Sequence, residues 1–147
     1  MVEIASLAMT VEEKMIKLPK KVYDSMMNHA KTCYPNEACG ILAGKSDGSA
    51  THFFPMRNVD ESSISYFMDP KEQLRVFKEM RELKVEMLGI FHSHVASQAY
   101  PSQKDVRLAF YPDMSYLIVS LSDKKKPVLR SFKIQEEVVT EEEIQIV

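Results

Sequence analysis

The chain has few cysteines and few glycines, and each scarcity excludes a class of protein. Only two of its 147 residues are cysteine, Cys33 and Cys39, too few for a scaffold held together by disulfides. Only four residues are glycine, so the chain has no glycine-rich loop of the kind that cradles a phosphate group. The sequence therefore predicts neither a disulfide-rich domain nor a glycine-loop phosphate binder.

The chain also has no excess of basic charge and no long apolar run. Lys and Arg total 19 against 21 Asp and Glu, a net charge of −2, which argues against a nucleic-acid partner. No apolar run approaches the roughly 20 residues that a membrane-spanning helix needs. Glu3 stands where a signal peptide carries Lys or Arg. We therefore expect a cytoplasmic protein with no membrane contact.

The chain is long enough for one domain, and its apolar periodicity divides that domain into helices and strands. We expect a single domain over 1–147, with a core at about 15–134 and peripheral segments at 1–14 and 135–147. Strands and helices mix without strict alternation, which predicts the α+β class. Leu74, Phe77 and Met80 are predicted on the buried face of the second helix. The predicted helices are 20–34, 70–83 and 102–111, and the predicted strands are 15–18, 38–43, 51–59, 85–91, 115–121 and 128–134.

Two histidines and one aspartate have the spacing of a metal site. His92 and His94 follow a predicted strand two residues apart, so both imidazoles project from the same face. Asp105 falls in the first turn of the third predicted helix, where Ser102 to Asp105 has an imperfect capping-box form. Two histidines and a carboxylate leave a fourth position open, as in catalytic zinc sites, although other divalent ions also fit. A His-x-His pair alone is more often two surface or core histidines.

These residues carry a resemblance to a known family. The pattern also includes an upstream glutamate before an apolar, glycine-marked strand, and it resembles the signature of the JAMM (MPN-plus) metalloproteases through Glu37, Gly40, Gly44, His92, Ser93, His94, Ser102 and Asp105. The similarity runs from about Met15 to Ile134 and is closest to the compact bacterial and archaeal members. It implies a mixed, mostly antiparallel curved sheet flanked by two to three helices, similar to the cytidine deaminase fold.

The resemblance also implies a role for each residue. His92, His94 and Asp105 would hold one Zn²⁺ per chain, Glu37 would be the general base, and Ser102 would hydrogen-bond the oxyanion. From the residues alone, Glu37 reads equally well as a solvated acid before a strand. Ser102 reads as a helix N-cap, a role that is compatible with catalysis.

The resemblance implies a JAMM-type zinc peptidase or isopeptidase that acts on proteins. The expected substrate is a ubiquitin-fold, sulfur-carrier-like protein or modifier, cut after its C-terminal glycine. An extended glycine tail suits a narrow groove, which we expect along 58–67 and 95–101, with Asn58, Phe67 and Val95 as substrate-binding candidates. Val95 replaces the proline that many relatives carry after the second histidine, so a change in loop stiffness is expected.

Two other functions remain open from the sequence. One is a metal-dependent amidohydrolase that uses the same site on a small substrate. The other is a scaffold or binding module of the MPN type, although the intact ligand set speaks against it. The sequence also leaves homodimer formation open. Cys39, two residues after Glu37, is interpreted as a small buried hydrophobe because the histidines are assigned to metal.

Overall fold

A computed structural model describes residues 15–147, which fold around a six-stranded sheet. Residues 1–14, predicted to be peripheral, lie outside the described residues. The elements in chain order are β1 (Ile16–Leu18), α1 (Lys20–Cys33), β2 (Cys39–Gly44), β3 (Ala50–Met56), α2 (Pro70–Leu83), β4 (Glu86–His94), α3 (Gln103–Arg107), β5 (Ser115–Ser120), β6 (Val128–Gln135), β7 (Val138–Glu142) and β8 (Ile144–Ile146).

The main sheet is mixed and mostly antiparallel, which confirms the predicted fold class. Its strand order is β3-β2-β4-β5-β6-β7, and β4 and β5 form its parallel pair. β1 and β8 form a separate parallel pair. The connection from β4 to β5 has to cross over because the two strands are parallel, and it carries α3. This crossover brings the start of α3 back toward the carboxyl end of β4.

Helices cover both faces of the sheet. α1 buries the apolar face predicted from its periodicity, including Val22 and Met26, against the face that carries Phe91. α2 buries Val76 and Met80 against the opposite face, which carries Ile90. Side chains alternate along a strand, so the residues two and four beyond Ile90 point to the α2 face. This alternation directs His92 and His94 to one side of the sheet.

Three predicted boundaries differ from the structure by more than one residue. β4 continues through His94 instead of ending at residue 91, because β2 and β5 pair with it as far as His92 and His94 respectively. β3 ends at Met56 instead of residue 59. α3 ends at Arg107 instead of residue 111, since the residues beyond it offer no buried face and Pro112 disfavours helical geometry in the residue before it.

The buried face predicted for α2 was partly wrong. Met80 is buried and Phe77 packs against the core as predicted, but Leu74 is 67% exposed. Val76, which was not predicted, is fully buried instead. The helix is therefore rotated toward its Val76–Met80 edge.

The acidic tail forms two strands that the sequence analysis did not assign. β7 pairs antiparallel with β6 through a turn in which Glu136 and Glu137 adopt positive φ angles of 49° and 65°. Such a two-residue turn matches the twist of a hairpin, although glutamate is unusual in it. No helix in the described part of the chain is long and apolar enough to cross a membrane.

Candidate metal centre

Three ligating atoms from two elements meet in a compact triangle. His92 Nε2 lies 3.1 Å from His94 Nε2, and both nitrogens lie 3.1 Å from Asp105 Oδ2. Bonds of about 2.0–2.1 Å to a tetrahedral zinc would hold ligand atoms roughly 3.3 Å apart. The triangle therefore has the donor set and the size that suit a zinc ion. The structure brings together all three residues that the sequence analysis proposed as ligands.

The start of α3 positions the carboxylate of this triangle. Ser102 is the N-cap, and its Oγ accepts a hydrogen bond of 3.0 Å from the Asp105 backbone N–H. In return, the Ser102 backbone N–H donates to Asp105 Oδ2 at 2.9 Å. The capping box is complete even though an aspartate replaces the usual Glu or Gln, as the sequence predicted in form. The same reciprocal bonds fix the carboxylate over the end of β4.

The two histidines are oriented by different means. His94 Nδ1 donates to the Gln98 carbonyl at 2.8 Å, and this bond turns the ring so that Nε2 faces the triangle. His92 Nδ1 is buried and has no hydrogen-bond partner among residues 15–147. The His92 ring instead stacks on Tyr66, with ring centroids 4.5 Å apart and planes inclined by 26°.

Hydrogen bonds and burial shift the pKa values of the three side chains of the triangle. Burial by itself would raise the pKa of Asp105, but hydrogen bonds from His92 and His94 outweigh it and hold that pKa well below its usual range. Burial lowers the pKa of His92. Burial also acts to lower the pKa of His94, yet the hydrogen bonds with Asp105 and the Gln98 carbonyl raise it overall. Asp105 is therefore an ionised carboxylate facing two imidazoles, an arrangement that attracts a cation.

Glu37 is held beside the end of β4 by its backbone. Its N–H donates to the Ser62 carbonyl at 2.8 Å, and its carbonyl accepts from Asn58 Nδ2 at 3.0 Å. The next residue, Ala38, donates its N–H to Ser93 Oγ at 2.8 Å, and Ser93 N–H donates to the Ala38 carbonyl at 3.0 Å. Ser93 points to the face opposite the two histidines, and these two bonds give it a structural role.

The Glu37 carboxyl is buried within electrostatic reach of the triangle. It is 5% exposed, and burial raises its pKa to about 8. The positive charges of His94 and Lys104 act to lower that pKa, while the negative charge of Asp105 acts to raise it. The interpretation of Glu37 as a solvated surface acid is therefore wrong.

The structure separates the three substrate-binding candidates. Asn58 is buried, and its amide is used internally by Glu37, Ser65 and Phe67. Phe67 is 50% exposed and lines a groove that ends at Asp105. Val95 follows the last residue of β4 and does not line that groove.

The groove beside Asp105 is mainly apolar and has a volume of about 200 Å³. One wall comes from the segment before α2 and the other from the segment after α3. The loop expected to form its second wall, 95–101, does not line this groove. It is anchored elsewhere: Ala99 is buried, and the Ser97 carbonyl accepts from Ser120 Oγ at 2.6 Å. The apolar lining residues are Tyr66, Phe67, Met68, Ile90, Leu108, Phe110 and Tyr111.

Cys39 is fully buried, as predicted. Its Sγ lies 3.8 Å from the Met56 carbonyl and 3.6 Å from the Arg57 carbonyl, and burial raises its thiol pKa to about 12. Such a thiol is not a nucleophile near neutral pH. The sequence analysis missed Tyr66 and Gln98, because a stacking ring and a backbone carbonyl leave no spacing signal.

Known proteins are similar to this chain in sequence. Residues 19–135 match the family described as prokaryotic homologs of the JAB domain. The CysO-cysteine peptidase of Mycobacterium tuberculosis is 42% identical over 126 residues, which cover 84% of this chain and 86% of that protein. The desampylase of Haloferax volcanii is 33% identical over 111 residues, covering 71% and 80% respectively.

A solved structure agrees with these relatives. A solution structure of a protein from Desulfitobacterium hafniense is 48% identical, with a TM-score of 0.84 over 90% of this chain and 93% of that one. The fold and the relatives define a peptidase or isopeptidase of the JAMM class. Within that class, the chain belongs to the prokaryotic JAB family.

Proposed function

We propose that the chain is a zinc-dependent peptidase that cuts after the C-terminal glycine of a ubiquitin-fold, sulfur-carrier-like protein. The observation that carries the proposal is the triangle of His92, His94 and Asp105 with the buried carboxyl of Glu37 beside it. The names of the relatives, a CysO-cysteine peptidase and a desampylase, support a small carrier or modifier as substrate.

The metal would be held by His92 Nε2, His94 Nε2 and Asp105 Oδ2, one ion per chain. A zinc ion held there would act as a Lewis acid and would lower the pKa of water toward about 7. The protein supplies the orientation: the Gln98 carbonyl directs His94, and the Ser102 backbone N–H directs Asp105.

Glu37 and Ser102 would supply the proton transfer and the charge stabilisation. The Glu37 carboxylate takes a proton from the attacking water and later gives it to the leaving amine. A carboxyl with a pKa near neutral suits both directions of transfer. Ser102 Oγ accepts from the Asp105 N–H, which leaves its own O–H free to donate to the oxyanion that develops on the scissile carbonyl.

The glycine tail of the carrier would approach along the segment that leads to α2. Phe67 is the exposed wall of the groove that ends at Asp105, and glycines without side chains fit a passage that narrow. In this proposal, the buried Asn58 holds the same segment in place through its hydrogen bonds, and Val95 borders the site at the end of β4.

The test is an incubation of zinc-loaded enzyme with a carrier protein extended by one residue beyond its terminal glycines, followed by mass spectrometry. We expect loss of the extra residue. A carrier joined to a lysine side chain is tested in the same way, by the mass of the released carrier. Glu37→Gln is the matched control, expected to retain zinc and lose the activity. Turnover of a small amide without trimming of any carrier would contradict the proposal and favour an amidohydrolase.

Metal analysis tests the ligands independently of any substrate. The purified protein is expected to hold about one zinc per chain, and His92→Ala and Asp105→Ala are expected to lose it. The partly buried His52 in β3 provides the matched control, since His52→Ala removes an imidazole outside the triangle. Full zinc content in both ligand variants would overturn the assignment.

A further inference from the structure

The two histidines of the metal centre are not equally supported. His94 has the hydrogen bond that usually orients a metal-binding histidine, from its second ring nitrogen to a backbone carbonyl. His92 has none, because its Nδ1 is buried without a partner among the described residues. Something other than a hydrogen bond must therefore hold the plane of the His92 ring.

Tyr66 is placed to do this. Its ring lies nearly parallel to that of His92, with 4.5 Å between centroids, while the next ring against His92, that of His94, is inclined by 62°. Tyr66 is itself packed against the apolar cluster under α2, so it does not move freely. A stacked ring restricts rotation of the imidazole about its last side-chain bond.

The backbone on both sides of Tyr66 is fixed by one side chain. Asn58 Nδ2 donates to the Ser65 carbonyl at 2.9 Å, and Asn58 Oδ1 accepts from the Phe67 N–H at 3.1 Å. The same Nδ2 donates to the Glu37 carbonyl. The residue before Tyr66, the residue after it and Glu37 are thus tied to a single buried amide.

We propose that Tyr66 is a positioning residue that orients His92 for metal binding by stacking, in place of the missing hydrogen bond. The inference rests on the proposed zinc centre. It assigns the function to the ring and not to the hydroxyl, for which the structure shows no hydrogen bond within residues 15–147.

The experiment compares zinc affinity, by competition with a chromophoric chelator, for the full chain and its variants. Tyr66→Leu is expected to weaken zinc binding by about 10-fold, the lower end of the cost of losing an outer partner of a ligand. Tyr66→Phe keeps the ring and is expected to retain wild-type zinc affinity. In the cobalt-substituted protein, Tyr66→Leu should also shift the visible absorption bands, and Tyr66→Phe should not.

Phe53→Leu is the matched control. Phe53 pairs with Phe91 at 5.4 Å on the opposite face of the sheet, so its loss removes an aromatic contact without touching a ligand. We expect lower stability with unchanged zinc affinity. Tyr66→Met serves as a second ring-free variant if Tyr66→Leu does not fold.

The outcomes separate this inference from the metal centre itself. If wild type binds one zinc and Tyr66→Leu binds it equally well, Tyr66 does not position His92 and the metal centre stands. If Tyr66→Phe is as weak as Tyr66→Leu, the hydroxyl and not the ring is responsible, and the proposal fails. If wild type binds no zinc at this site, the metal centre fails and this inference fails with it.

Discussion

In the proposed mechanism, Glu37 serves as a base at a position where burial opposes its ionisation. Its carboxyl is almost fully enclosed, and that enclosure raises its pKa to about 8. Burial of this kind keeps a proton on the carboxyl in the metal-free protein at neutral pH. A dication in the neighbouring triangle would favour the ionised form, so metal binding and the base function are coupled through charge.

This raised pKa predicts how stability changes with pH in the metal-free protein. Folded Glu37 stays protonated up to about pH 8, whereas the unfolded side chain ionises near pH 4.5, so wild type loses stability as pH rises through that window. Glu37→Gln removes the ionisation, so its advantage over wild type should grow by up to a few kcal/mol between pH 4.5 and 8. Urea unfolding in the presence of a chelator measures the unfolding free energy of both proteins at each pH. A difference in unfolding free energy that does not depend on pH would show that the pKa of Glu37 is not raised.

Ser102 has an observed capping role and a proposed catalytic role, which a pair of variants can separate. Ser102→Ala is expected to lower kcat by about 10²–10³ through loss of the oxyanion donor, and to lower stability by about 0.5–2 kcal/mol through loss of the cap. Ser102→Thr keeps the hydroxyl and the cap and should preserve both. Kinetics at full zinc occupancy and urea unfolding measure the two effects. An unchanged kcat in Ser102→Ala would restrict the residue to capping.

The residues of the candidate site differ in how readily their roles can be predicted from the sequence. His92, His94 and Asp105 could be found because strand alternation and a helix start place their side chains by local rules. Tyr66 and Gln98 could not, since one acts through a ring brought in by a loop and the other through its backbone. Asn58 was singled out for its position, but its use as an internal hydrogen-bonding centre depends on contacts far apart in sequence.

At the scale of elements, the buried amide of Asn58 organises much of the connection between β3 and α2, beside a backbone hydrogen bond from the Val59 N–H to the Phe67 carbonyl. Asn58 donates from Nδ2 to two carbonyls and accepts at Oδ1 from two backbone N–H groups. The segment has little regular structure of its own, so these four bonds replace the ladder that a strand would provide. Through them, the position of Glu37 is linked to that of Tyr66.

Asn58→Asp tests this link because it removes only the two donated bonds. The aspartate presents oxygens to the carbonyls of Glu37 and Ser65, so we expect a loss of about 2–4 kcal/mol in unfolding free energy. Zinc affinity should fall as well, since the segment that carries Tyr66 loosens. Asn28→Asp makes the same change on the exposed face of α1 and is expected to alter neither property. Wild-type stability in Asn58→Asp would rule out the amide as the organising group.

Elements with strong local signals were predicted better than those that depend on partners. α1 has apolar residues at helical spacing, and α2 begins at Pro70 after an Asp69 cap, whose side chain accepts from the Lys71 N–H. α3 is shorter than predicted because the apolar residues that follow it, Leu108 and Phe110, face outward. β7 was missed because pairing with β6, and not its own glutamate-rich sequence, makes it a strand.

At the scale of the whole molecule, the first and last strands of the described residues contact each other. β8 pairs in parallel with β1, the Val147 N–H donates to the Leu18 carbonyl at 2.8 Å, and the Lys20 N–H donates to the Val147 carbonyl at 3.1 Å. β1 packs with α1 on the face of the sheet opposite the two histidines. This pairing therefore stabilises the layer that does not carry the candidate metal centre.

Deletion of residues 143–147 tests whether this pairing and the metal centre are independent. Loss of β8 uncovers the β1 side chains Ile16 and Leu18 and leaves β1 paired only through its bridge to Ser49, so we expect a drop of about 1–3 kcal/mol in unfolding free energy. Zinc content should stay near one per chain because no ligand or ligand partner lies in this layer. Ile146→Thr in the full chain keeps the backbone pairing and should cost less. Loss of zinc from a truncated protein that remains folded would show that the C-terminal segment supports the metal centre and is not peripheral to it.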